Sequence, residues 1–466
     1  MWRRLACSLS LVTVFFAQPA AAQTLQESMA AAYETNAALN AERARLRQTD
    51  ERVPQALSGY RPSVTAFARA GRRWLDSNRE SIIGEEDDAL FQRQYGASIQ
   101  QPLFTGGQTA AAVRGAENAV RAERARLEAQ EQNVLLDTAT TYSDVHRDQA
   151  VLQLRIQNEQ RLGRQLEAAR DRFQVGEVTR TDVSQAEARL ARATAERIAA
   201  EGILAASRAA FRNVVGQAPA LLGRPPLPEQ LPSSLEEVNR IAADWNPNVT
   251  AAGYDERSAL DGVDQVRGEL SPTVSLIGRV QRDLDVSERD SRLDSAEALI
   301  DLQVPLYQSG AVYSRLRAQK QAVAERRRRL DQAAHDAVED ATRAWNRLET
   351  AGAEIGSLRK QVEANQIALE GVEREAEVGA RTVLDVLDAQ QELSDSQVSL
   401  VRAEGDQVTA AYQLKSAVGE LTARRLGLSV TLYDPSQHYR EVRGAWFGGS
   451  SSGDISDDFQ RPVPQR

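Results

Sequence analysis

The stretch QPLFTGGQ, residues 101–108, marks the point where this chain changes character. Before it, FQRQYGASIQ (91–100) alternates: Phe91, Tyr95, Ala97 and Ile99 share one side with Arg93, while Gln92, Gln94, Gly96, Ser98 and Gln100 make the other. That period of two is a strand with one polar face. After it, from Gln108 to Phe173, there is no proline, and only Gly115 and Gly163 interrupt a pattern rich in Ala, Arg, Glu, Gln and Leu. A helix of that length would span roughly 100 Å at 1.5 Å per residue. Ordinary helices average about three turns, so a run this long implies a coiled coil or a helical repeat.

The junction occurs twice. About 203 residues later the chain reads VPLYQSGA, residues 304–311, again between an alternating segment and a long helical run, here about 311–378. Other segments align as well. RPSVTAF from Arg61 parallels SPTVSLI from Ser271, and QVGEVTRTDVSQAEARL (174–190) parallels EVGARTVLDVLDAQQEL (377–393) with Gly176 and Gly379 in register. A duplication of more than 150 residues is one architectural unit built twice, longer than a solenoid repeat. Each unit runs in the same order: a helical start (about 23–53 and 233–267), a strand, a charged loop, a second strand, the elbow, a very long helix and a shorter returning helix (about 182–214 and 385–419). In the second half Ala298, Ile300, Leu302 and Val304 oppose Glu297, Asp301 and Gln303.

At the elbows an alternating strand gives way to a long helix. Pro102 is expected to end the strand ladder, because it has no N–H to give. Gly106 and Gly107 permit the bend, Pro305 and Gly310 repeat the arrangement, and Phe104 and Tyr307 are placed to pack there.

The N-terminus reads as an export signal over 1–22: basic MWRR, apolar LACSLSLVTVFFA, then small residues at 20–22. Cys7, the only cysteine, lies early in that apolar run, where it cannot accept a lipid anchor, and the mature chain has no thiol for disulfide or thiolate chemistry. Losing Arg3 and Arg4 moves the formal charge from -9 to about -11, which argues against a nucleic-acid partner. His146, His335 and His438 are the only histidines, none in a metal-spaced cluster and each expected on a surface or helix face; no nucleophile elbow, P-loop or H-E-x-x-H occurs. No enzyme, cofactor or dedicated metal site is expected. No apolar run of about 18 residues follows the signal, a pattern that still allows a β-barrel, whose strands need only alternate apolar residues.

One chain offers about four strands, whereas single-chain membrane barrels begin at about eight and open edges cannot sit in lipid. Several copies must therefore share one barrel, and three would give about twelve strands. The two turns between long and returning helices each hold T-x-x-D, Thr179 to Asp182 and Thr382 to Asp385, which is a capping-box pattern and leaves a second role open. Asp388 follows Asp385 by three residues on the same helical face. In a trimer the two would make stacked rings of three carboxylates, suited to cation binding at a narrow pore.

These residues resemble the TolC-type outer-membrane channels of efflux and type I secretion, over Gln23 to about Tyr433. The most specific element is VGARTVLDVLDAQQEL, supported by YQSGAVYSRLRAQ, FTGGQ and GEVTRTDVSQAEARLA. The resemblance implies an internally duplicated membrane protein of mixed α and β structure. It would form a homotrimer with a twelve-stranded outer-membrane β-barrel continuous with a long α-helical coiled-coil tunnel through the periplasm. The implied organisation is a signal peptide (1–22), a first repeat (23–216), a linker in an equatorial belt (217–232), a second repeat (233–420), a further belt segment (421–436) and a mobile C-terminal tail (437–466). It places Asp385 and Asp388 at the periplasmic entrance. Arg381 matches the family's gate arginine, Thr181 and Asp182 match its partners, and Ala376 stands where close relatives carry a gate tyrosine. The implied function is passive conduction of exported proteins or small toxic compounds, with a periplasmic adaptor and an inner-membrane ABC or proton-driven transporter as partners, and outer-membrane lipid around the barrel. Gly176, Glu177, Gly379 and Ala380 would be the adaptor-facing tips. Without a lipid anchor the resemblance leans toward the secretion branch. The rival readings, a periplasmic adaptor or a structural exported coiled coil, leave the duplicated strand pairs unexplained.

Overall fold

The computed structural model describes residues 23–74, 90–286 and 290–448. The signal segment with Cys7, most of the first charged loop and residues 449–466 of the expected tail lie outside the described residues. The chain divides into two compact units: Met1–Glu34 with Asp137–Leu227 and Ala351–Thr409, and Thr35–Leu136 with Pro228–Thr350 and Ala410–Arg466. Each unit draws on both sequence repeats.

The second unit holds the strands, β1 (Ser63–Arg73), β2 (Leu90–Phe104), β3 (Thr273–Leu284) and β4 (Arg292–Gln303), in one antiparallel sheet ordered β1-β2-β3-β4. Alternation along each strand sorts its side chains by chemistry. One face carries the rows Val64, Ile99, Gly278, Ala298 and Ala66, Ala97, Val280, Ala296. The other carries Thr65, Ser98, Arg279 and Glu297, with Arg279 Nη1 3.3 Å from Glu297 Oε1. Toward the β3–β4 turn the apolar face ends in an Arg282–Asp294 ion pair. A sheet apolar on one side and polar on the other is the wall expected between lipid and water. Within the chain the outer edges of β1 and β4 have no ladder partner among the described residues.

The helices are α1 (Leu25–Thr35), α2 (Ala37–Asp50), α3 (Arg52–Leu57), α4 (Gln108–Gln174), α5 (Arg180–Val215), α6 (Leu235–Trp245), α7 (Pro247–Gly268), α8 (Ala311–Glu377), α9 (Val383–Ala417) and α10 (Gln437–Val442). Both long helices, α4 and α8, run 67 residues. The helical starts, read as single runs, are each broken at an asparagine. Asn36 Oδ1 accepts from Ala38 N and Leu39 N to cap α2, and Asn246 Oδ1 accepts from Asn248 N to cap α7, with Pro247 in its first turn. Asparagine is a strong N-cap because its side chain satisfies amides that a helix start leaves unpaired.

Small residues let the long helices pack closely. In the second unit Val238 and Ala242 of α6 bury against Ala341 and Ala344 of α8 and Leu414 of α9. An ion-pair ladder crosses four helices of the same unit: Arg45 of α2 to Glu123 at 2.9 Å, Glu123 to Arg126 of α4 at 2.8 Å, Arg126 to Asp255 of α7, and Asp255 to Arg326 of α8 at 3.8 Å. In the first unit Leu162, Leu166 and Ala169 of α4 meet Ala186 and Ala193 of α5 and Leu387 of α9. There the segment after α5 is tied to the start of the described chain. Gln23 N donates to Leu221 O at 2.8 Å, and the buried Tyr142 hydroxyl lies 2.7 Å from Gln23 O and 2.9 Å from Gly223 O.

Two expectations need correction. Pro102 does not end the ladder: it pairs opposite Ser275, a bulge follows, and β2 continues to Phe104 opposite Val274. A proline is tolerated there because the bulge breaks the regular hydrogen-bond spacing. Residues 437–442 are also not tail but helix α10. His438 is buried with Nδ1 3.3 Å from Asp50 Oδ2, the Arg124 guanidinium lies over the Tyr439 ring at 5.2 Å, and Arg61 donates to Ala445 O at 2.6 Å. His438, Tyr439 and Ala445 sit in a polar stretch that offers no periodicity to read, so the sequence looked unstructured.

Candidate functional site: helix tips and elbows

The two tips are built alike, residue for residue. At the end of α4, Gly176 takes φ +80°, its N–H donating to Phe173 O at 3.0 Å and Glu177 N to Arg172 O at 2.9 Å. At the end of α8, Gly379 takes φ +79°, its N–H donating to Ala376 O at 3.1 Å and Ala380 N to Glu375 O at 2.8 Å. This crossed pattern with a left-handed glycine closes a helix C-terminus. The next helices then start on matching capping boxes. Thr179 N and Oγ1 both donate to Asp182 Oδ2 at 2.8 Å, and Asp182 N returns to Thr179 Oγ1 at 3.3 Å. Thr382 and Asp385 repeat this at 2.9, 2.8 and 3.3 Å. The hydrogen bonds from Thr382 hold the Asp385 carboxyl below its ordinary range, and the nearby charge of Arg381 adds to the effect.

The structure brings the remaining candidates together differently from the expected network. Arg381 Nε donates to Glu375 Oε2 at 2.9 Å, and the guanidinium gains a partner on its own turn rather than Thr181 or Asp182 within the chain. Thr181 is exposed and Asp182 is committed to its cap. Asp388 is ion-paired with Arg189 of α5, so its charge is compensated inside one protomer. Leu387, beside it, is buried against α4 and α5, which fixes that face of α9. Gly176, Glu177, Gly379 and Ala380, expected to face an adaptor, are all exposed. Sequence reasoning passed over Val175 and Val378, 72% and 81% exposed, one at each tip. The repeated Val-Gly of QVGE and EVGA was the available signal: an apolar residue placed twice just before a turn.

At the elbows Gly106 and Gly107 take φ +62° and +83°, and Gly310 takes +76° after Ser309 at +54°. A Cβ on Gly106 would stand 2.5 Å from Gly268 O and 2.6 Å from Ser271 Cβ, so that glycine is required by space as well as by backbone angle. Gln108 Nε2 donates to the same Gly268 carbonyl at 3.2 Å, seating the first turn of α4 on the end of α7. Phe104 and Tyr307 are exposed within the chain. No helix among the described residues is long and apolar enough to cross a membrane.

A two-faced sheet whose second and fourth strands lead through glycine elbows into 67-residue helices defines the protomer of an outer-membrane channel-tunnel. Comparison with known proteins agrees. The family described as "Outer membrane efflux protein" matches at residues 29–217 and 240–420, and the chain belongs to that family. The chain is 35% identical to the outer membrane efflux protein BepC of Brucella suis over 94% of both chains. It is 27% identical to the outer membrane protein TolC of Vibrio cholerae over 80% of this chain and 85% of that one. Among solved structures, the CmeC outer membrane channel of Campylobacter jejuni superposes with a TM-score of 0.78 at 15% identity, over 90% of this chain and 89% of that one. The protein is thus an outer-membrane channel rather than a periplasmic adaptor or a structural coiled coil.

Proposed function

We propose that three copies close one twelve-stranded barrel and that the assembled channel passively conducts cargo delivered by an inner-membrane transporter through a periplasmic adaptor. The observation that carries the trimer is the four-stranded sheet with two free edges, which lipid does not tolerate. The tip turns form the periplasmic entrance. Asp385 offers the oxygen its cap does not use, Arg381 is the closing residue, and the exposed Val175 and Val378 join Gly176, Glu177, Gly379 and Ala380 as the surface an adaptor meets. Asp388, paired to Arg189, contributes a weaker carboxylate ring than its position implies. Small toxic compounds are the favoured cargo, supported by the efflux name of the Brucella relative, with protein secretion as the second route.

Purified protein in a planar bilayer tests this reading. Step conductances from an SDS-resistant trimer, reduced by millimolar Mg2+ from the side bearing the tips, are expected. Bilayers that stay silent at protein concentrations giving intact trimer would overturn the channel.

A further inference from the structure

The two hairpins pair in one and the same register. β3 follows β1 by 210 residues and β4 follows β2 by 203, and under those offsets Ser63↔Gln100 becomes Thr273↔Gln303, while Arg73↔Leu90 becomes Asp283↔Leu293, both of which are observed. The sheet therefore repeats as hairpin, joint, hairpin, and the one joint within the chain is the β2–β3 ladder. A closed barrel of identical copies needs a second joint, between β4 of one copy and β1 of the next, and this contact must be heterologous to close a ring.

We propose that the β4–β1 joint between copies repeats the β2–β3 register, which pairs Ile300, Leu302 and Val304 with Ala70, Ala68 and Ala66 of the next copy, and Glu297 and Asp301 with its Arg73 and Arg69. This rests on the trimeric channel reading. The register follows from the observed pairs Ala97↔Val280, Ile99↔Gly278 and Gln101↔Leu276 on one face, and Gln94↔Asp283 and Ser98↔Arg279 on the other.

Chemistry at the two edges agrees with that register although it played no part in deriving it. On the apolar face β4 presents Ile300 and Leu302, 73% and 62% exposed, and β1 answers with an alanine opposite each of Ile300, Leu302 and Val304. Large against small side chains on neighbouring strands lets the wall stay smooth toward lipid. On the polar face both acids of β4 meet arginines. A slip of two residues places Asp301 opposite Phe67 or Gly71, and a slip of four keeps at most one acid–base pair among the described residues. A slip of one would turn the apolar face of β4 against the polar face of β1. The charges select register rather than add much affinity, since exposed pairs are individually weak.

Cysteine crosslinking of the full-length protein in membranes reads the register directly, because Cys7, the only native cysteine, lies in the segment read as a cleaved signal. Ala68→Cys with Leu302→Cys should oxidise to dimers and covalent trimers on non-reducing gels. Ala68→Cys with Ile300→Cys or Val304→Cys should crosslink at least tenfold less. An SDS-resistant trimer that crosslinks best in one of the shifted pairs overturns the register and leaves the channel standing; absence of any trimer overturns the channel reading itself. Arg69→Asp should weaken the SDS-resistant trimer and Arg69→Asp with Asp301→Arg should restore it, an outcome that a purely structural role for Arg69 would not give.

Discussion

Asp388 of α9 is ion-paired with Arg189 of α5 in the same protomer. Arg189 is the less exposed partner, at 28% against 54% for Asp388. At the proposed three-fold entrance this pairing would turn a ring of three negative charges into three neutralised pairs, leaving Asp385 as the carboxylate of the two without an ion pair.

Replacing Arg189 with Gln should therefore strengthen cation block. The half-blocking concentration of Mg2+ in bilayer recordings is expected to fall roughly threefold or more, the scale of one exposed ion pair. Asp388→Asn in the natural background should change it less than Asp385→Asn. Equal effects of the two would mean the Arg189 pair is broken in the assembled pore.

The tip caps set the stability of the first turns of α5 and α9. Thr179→Ala or Thr382→Ala each removes a capping box and should cost about 1 kcal/mol locally, read as roughly fivefold faster amide exchange at residues 180–184 or 383–387. The pH dependence has a definite sign. Asp385 has a folded pKa below its unfolded value, so its capping contribution is present above the ordinary carboxylate range and is lost as pH falls through the depressed pKa. The protection that cap gives the start of α9 should therefore be constant with pH near neutrality and fall only in acid.

Arg381 holds Glu375 at 2.9 Å on its own turn. If it closes the entrance in the trimer, Arg381→Ala should raise single-channel conductance, and Glu375→Gln, which frees the guanidinium, should lower it or lengthen closed times. An unchanged conductance in Arg381→Ala removes this residue from the gate.

The elbow glycines are separable. Gly106→Ala meets both a positive φ and a carbonyl at 2.5 Å, whereas Gly107→Ala and Gly310→Ala meet only the positive φ. Strain of a left-handed alanine is on the order of 1 kcal/mol, and the clash adds to it. Gly106→Ala should sharply reduce SDS-resistant trimer in membranes, while the other two reduce it modestly; equal yields of all three would mean the α7 end gives way freely.

The sequence alone determined the architecture, because it is written in periodicities and repeats. Alternation in FQRQYGASIQ, proline-free runs after each elbow and duplicated T-x-x-D tips each translate into one local structure by short-range geometry, and all of these elements stand in the fold. It did not determine what long-range packing decides. Whether Asp388 is a bare charge depends on Arg189, 199 residues away. Residues 437–442 become a helix only because Asp50 and Arg124 wait on other helices to receive His438 and Tyr439. Pro102 stays in the sheet because a bulge against β3 absorbs its missing donor. Local signals fix elements within a few turns; partners distant in sequence meet only when the tertiary fold brings their helices and strands side by side.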